Sequence, residues 1–118
     1  MVLLSDKYVS QMKKGVLDML VLKLLRSEEK YGYQIIQELR DLSDGRFLLK
    51  EGTLYPILYR LEDEKMVESK WSEAEGKRVP RKYYAITALG RDALGELSKL
   101  WLEISSSVSA IMEEKENE

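Results

Sequence analysis

The spacing of the apolar residues changes twice along this chain, and that change constrains the fold more than any other feature. The period is helical as far as Asp63, alternates over 66–71 and 81–87, and is helical again to Ile111. Three helices, a hairpin and a long final helix follow in that order, so the chain is predicted to be mainly α with one β-hairpin.

Local signals fix the pieces. The first helix is expected to begin at Ser10 as N-cap and to run through 16–25, where only Asp18 and Lys23 interrupt the apolar residues. A helix that apolar has several neighbours and is central. Residues 26–30 read as a polar connection. The second helix carries Ile35, Ile36, Leu39 and Leu42 inward and ends at Ser43-Asp44-Gly45. In the third, Leu54, Ile57, Leu58 and Leu61 share a narrow face, opposite Gly52, Pro56, Tyr59 and Asp63. Pro56 has no N–H to donate, which places it in the first turn with Gly52 or Thr53 near the cap. Val67 and Trp71 share one face of the first hairpin strand, and Trp71 is expected to cover the third helix. Thr87 caps the last helix, whose Leu94, Leu97, Trp101, Ile104, Val108 and Ile111 fall alternately 3 and 4 residues apart in a heptad seam.

The 118 residues suffice for one winged helix-turn-helix unit, 1–87, and a C-terminal dimerisation helix, 88–118. The seam has no partner within so small a unit, so a homodimer is expected. The chain has no Cys and no His, which removes thiol and imidazole chemistry and nearly every transition-metal ligand set. Glu62, Asp63 and Glu64 are consecutive on a helix and point in three directions, so they form no metal or acid-base site. No enzyme activity, cofactor or metal is expected. Apolar runs fall short of the ~18 residues of a membrane span and the first ten residues lack a signal-peptide pattern, so a cytoplasmic protein without membrane contact is expected.

In a winged helix the third helix enters the major groove and the hairpin meets the backbone or the minor groove. The hexapeptide 77–82 supplies Lys77, Arg78, Arg81 and Lys82 without an acid, although the whole chain carries a net charge of −2. Concentrated cations suit phosphate, because each neutralised phosphate releases counterions. That favours DNA over the alternative, a winged-helix module that binds only protein. The groove-facing set is Thr53, Tyr55, Pro56, Tyr59 and Arg60. Two of these stay open: Tyr55 lies closer to the Leu54 face and divides between packing and contact, and Arg60 is equally placed to pair with Asp63 or Glu64. Trp101 occupies a seam position and reads either as a bulky interface residue or as a stacking surface for a ligand.

Several stretches together resemble the PadR family of bacterial transcriptional repressors: 15–25, Tyr31-Gly32-Tyr33, Glu51-Gly52-Thr53-Leu54-Tyr55-Pro56 with Arg60-Leu61-Glu62, and Arg81-Lys82-Tyr83-Tyr84-Ala85-Ile86-Thr87 with Gly90. The single C-terminal helix is similar to that of the small, multidrug-sensing members. The resemblance implies a homodimeric repressor on an inverted-repeat operator in double-stranded DNA, released by a phenolic acid, planar aromatic or cationic drug-like ligand. It further implies stacking on Trp101. Leu97 and Ser105 on the same helix and the adaptable Met12 and Met19 would line that slot. Glu73 and Glu75 depart from the pattern by placing acid in the wing tip.

Overall fold

The computed structural model describes residues 5–73, 76 and 79–113. Its elements are α1 (Asp6–Lys14), α2 (Leu17–Ser27), β1 (Lys30–Tyr31), α3 (Gly32–Leu42), α4 (Glu51–Asp63), β2 (Val67–Trp71), β3 (Lys82–Ile86) and α5 (Ala88–Met112). The apolar run that marked the first helix is the hub. Leu17, Val21, Leu22 and Leu25 of α2 are buried, packed with Ile35 and Leu39 of α3, Leu54, Ile57, Leu58 and Leu61 of α4, Val67, Tyr84 and Leu94.

The expected helix from Ser10 is instead two. It begins at Asp6, after Ser5, and breaks at Gly15–Val16, where the Val16 N–H bonds to the Lys13 carbonyl in a tightened turn. Glycine is the weakest helix former after proline, and α1 buries none of its residues, so nothing holds the two segments in line. The close of α3 falls where expected. Ser43 Oγ donates to the Leu39 carbonyl at 2.6 Å and accepts from Phe47 N–H at 2.8 Å, while Asp44 and Gly45 adopt left-handed φ of 53° and 81°.

Pro56 does not sit in the first turn of α4. The helix starts at Glu51 after Lys50, which puts Pro56 in the second turn. The carbonyl that loses its partner is that of Gly52, an exposed residue whose missing side chain leaves water free to solvate it.

The sheet has three strands in the order β1-β3-β2, all antiparallel. The two-residue β1 was not anticipated, because a lysine at the end of a polar connection carries no strand signal. Lys30 is nonetheless buried, with Nζ 3.2 Å from Glu28 Oε1 and 3.1 Å from Glu38 Oε1. Trp71, expected to cover the third helix, is 66% exposed. The inward positions of β2 next to α4 are taken by Val67 and by Ser69, whose hydroxyl donates to the Glu62 carboxylate; Trp71, opposite Lys82, lies beyond the core.

Thr87 caps α5 by accepting from Gly90 N–H at 3.0 Å, and its own hydroxyl donates to the Lys65 carbonyl at 2.6 Å. The expected seam divides. Leu94 is buried and Leu97 half-buried in the core of their own chain, which a seam pattern cannot distinguish from a contact with a second copy. Trp101, Ile104, Val108 and Ile111 remain exposed.

Candidate nucleic-acid interface

The outer surface of α4 exists because four leucine and isoleucine side chains anchor its opposite side. Thr53, Pro56, Tyr59 and Arg60 are exposed on it. Tyr55 is half-buried, its ring 5.9 Å from that of Tyr59 and its hydroxyl so close to Gly32 that a Cβ there would overlap it. Burial first, then the nearby Glu51 and Tyr59, pushes its phenol above the usual range. Tyr55 therefore locks α4 against the start of α3, the two helices of the helix-turn-helix.

Arg60 pairs with neither Asp63 nor Glu64. Its guanidinium forks onto Asp18 of α2, with Nη1–Oδ2 at 2.5 Å and Nη2–Oδ1 at 2.9 Å, and this bond raises its pKa. The sequence hint was one charge, Asp18, in an apolar run.

On the wing side, Lys82 and Arg81 have different surroundings. Lys82 is half-buried, its ammonium 5.6 Å from the Tyr59 ring centre and 5.5 Å from that of Tyr84. This contact joins β3 to the exposed side of α4, so the helix and the root of the wing form one surface. Arg81 is exposed, with its guanidinium carbon 4.4 Å from the Tyr31 ring centre. Tyr84 is fully buried, and its hydroxyl has no partner among the described residues; chiefly through burial, its pKa is pushed up to about 12. Lys77, Arg78 and Glu75 lie outside the described residues, whereas Glu73 is exposed.

The residues expected to hold a ligand are dispersed along the first two helices and α5. Trp101 is 46% exposed, Leu97 and Ser105 are half-buried, and Ser105 Oγ donates to the Leu102 carbonyl. Met19 packs at the edge of the core, while Met12 is exposed on α1, across the break at Gly15.

Residues 21–96 match the family described as the transcriptional regulator PadR-like family. The chain belongs to it. A PadR family transcriptional regulator from Eggerthella lenta is 34% identical and superposes with a TM-score of 0.82, with 93% of each chain covered. A PadR-like transcriptional regulator from Bacillus cereus is 35% identical with a TM-score of 0.75, over 90% of this chain and all of the other. Among curated relatives, an uncharacterised protein of Lysinibacillus sphaericus is 38% identical over 106 residues, covering 88% of this chain and 94% of that one. The Escherichia coli transcriptional regulator YqjI is 24% identical over 86% of this chain, which spans only 42% of YqjI. The fold is thus the PadR winged helix, and the chain is a DNA-binding regulator of transcription, not an enzyme. No helix among the described residues is long and apolar enough to cross a membrane.

Proposed function

We propose that this PadR-like regulator is a cytoplasmic homodimeric repressor whose two α4 helices enter successive major grooves of an inverted-repeat operator. The contact of Lys82 with Tyr59 carries the reading, because it makes the recognition helix and the cationic strand a single surface. Thr53, Pro56 and Tyr59 meet base edges and thymine methyls; Tyr55 and Arg60 hold the helix at its angle, and Arg60 keeps N–H donors beyond the two engaged by Asp18 for a phosphate. Arg81, with Lys77 and Arg78 a few positions before it in sequence, meets the backbone.

Dimerisation is assigned to α5 beyond Leu97. Trp101, Ile104, Val108 and Ile111 are 46%, 49%, 51% and 81% exposed, a continuous apolar stripe on one helix that a second copy would cover. α1 adds exposed Tyr8 and Met12. Two indoles facing across the axis pack less evenly than interdigitated leucines. A planar aromatic or cationic lipophilic ligand between them, near Leu97, Ser105, Met12 and Met19, gains stacking on both faces. Such a ligand favours a dimer in which the α4 helices no longer sit one DNA turn, ~34 Å, apart, and DNA is released. Sedimentation with and without duplex tests the assembly: a monomer at micromolar concentration, free or on DNA, refutes the dimeric reading.

A further inference from the structure

The basic side chains at the root of the wing are held in different ways, and the difference leads to a residue outside the groove-reading set. β1 is too short to add much to the sheet. What it fixes is the register of Tyr31 opposite Tyr83, the two rings meeting edge to face at 5.5 Å and 77°. Arg81, immediately before β3, lays its guanidinium over the Tyr31 ring, the guanidinium carbon 4.4 Å from the ring centre. Its backbone is pinned at the same time: Arg81 N–H donates to Ser72 Oγ at 2.9 Å, and its carbonyl accepts from Ser72 N–H at 2.8 Å. An exposed arginine ordinarily samples many rotamers and gives them up only on binding. Here the main chain and the side chain are both held beforehand. Among the described residues the guanidinium has no hydrogen-bond or ion-pair partner, and its N–H groups are what a phosphate takes.

We infer that Tyr31 is a positioning residue for DNA binding. Its ring presents Arg81 to a backbone phosphate in the conformation the contact needs, so the ordering cost is met in folding rather than on binding. Tyr31 acts only through Arg81 and touches no part of the DNA. The inference rests on the reading of the wing as a phosphate-binding element.

Fluorescence anisotropy with a mixed-sequence duplex, measured across a salt series, separates the two ideas. Arg81→Ala is expected to lower the salt slope by about 1. Tyr31→Leu should weaken binding about 2- to 10-fold in the wild-type background and leave it unchanged in the Arg81→Ala background. Tyr31→Phe, which keeps the ring, should bind as the wild type does. If Tyr31→Leu weakens both backgrounds equally, or neither, the positioning role is overturned while the wing reading stands. An unaltered slope in Arg81→Ala overturns the wing reading and the inference together. Proton NMR of the free wild-type protein provides a check that needs no variant to fold: the Arg81 side-chain methylene protons should be shifted upfield by the ring, and random-coil shifts there would overturn the inference.

Discussion

Replacing Gly90 with alanine should unseat the final helix. A Cβ at Gly90 would overlap the Met66 carbonyl oxygen and lie 2.8 Å from Ile86 Cγ1 and 3.0 Å from the Met66 carbonyl carbon. The obstacle is mostly backbone, and it is committed: the Met66 oxygen accepts from Thr87 N–H at 3.0 Å, beside the cap of α5. Moving it strains a hydrogen bond worth about 1 kcal/mol, and overpacking of this kind costs about 1–3 kcal/mol. The gain in helix propensity from Gly to Ala, about 0.8–1 kcal/mol, offsets part of this. The net expectation is a loss of roughly 1–3 kcal/mol. Gly95 on the same helix is the control, since nothing lies within 4 Å of a Cβ there. Gly95→Ala receives the propensity alone and should stabilise by about 0.5–1 kcal/mol. Urea unfolding by circular dichroism, at one fixed protein concentration, measures both. Equal stability of the two variants would refute the close seating of α5 on the turn before β2.

Three other outcomes follow from the same geometry. The raised pKa of Tyr84 means that the unfolded state loses its proton first as pH climbs; the contribution is whole below pH 10 and is lost between 10 and about 12. Tyr84→Phe should flatten alkaline melting in that window and be at least as stable as the wild type at neutral pH, because it removes a buried hydroxyl that has no partner among the described residues; a large loss at neutral pH would contradict this. Tyr59→Ala should change sequence preference in a binding selection, whereas Arg81→Ala should weaken binding to all duplexes about equally. Trp101→Ala should abolish quenching by a planar cationic dye while sedimentation still reports a dimer, and Ile104→Asp should yield monomer; undiminished dye binding in Trp101→Ala would remove the ligand from that position.

What the sequence disclosed depended on whether burial or contact across the fold made the feature. Leu54, Ile57, Leu58 and Leu61 marked α4 because a one-sided helix must repeat its apolar residues, and Thr87 marked the start of α5 because a cap has a local chemistry. The break at Gly15 was missed because the apolar run of α2 follows Gly15 almost at once, and a single glycine inside a helical pattern does not by itself mark a boundary. β1 was missed because Lys30 is buried between the carboxylates of Glu28 and Glu38, and a buried polar residue leaves no apolar alternation in the sequence. Trp71 was misplaced since alternation tells which side of a strand a residue occupies, not where the core ends. Likewise, Arg60 finds Asp18 forty-two positions away, a partner no local rule would select over its acidic neighbours. In the interface, the exposed residues of α4 and the cations of the wing were legible, while the groups they contact, Asp18 at Arg60, Tyr31 at Arg81 and Tyr84 at Lys82, became visible only once the chain was folded.

The central claim is that α4 and the wing form one DNA-binding surface, presented twice by a dimer. It is tested most directly by titrating the protein onto the DNA upstream of its own coding region and onto a mixed-sequence duplex over a range of salt. Two protomers per site, a linear fall of log affinity with log salt, and tighter binding to the upstream DNA that persists as salt rises are predicted. Absence of binding at low salt, or equal affinity for both duplexes throughout the series, would contradict it.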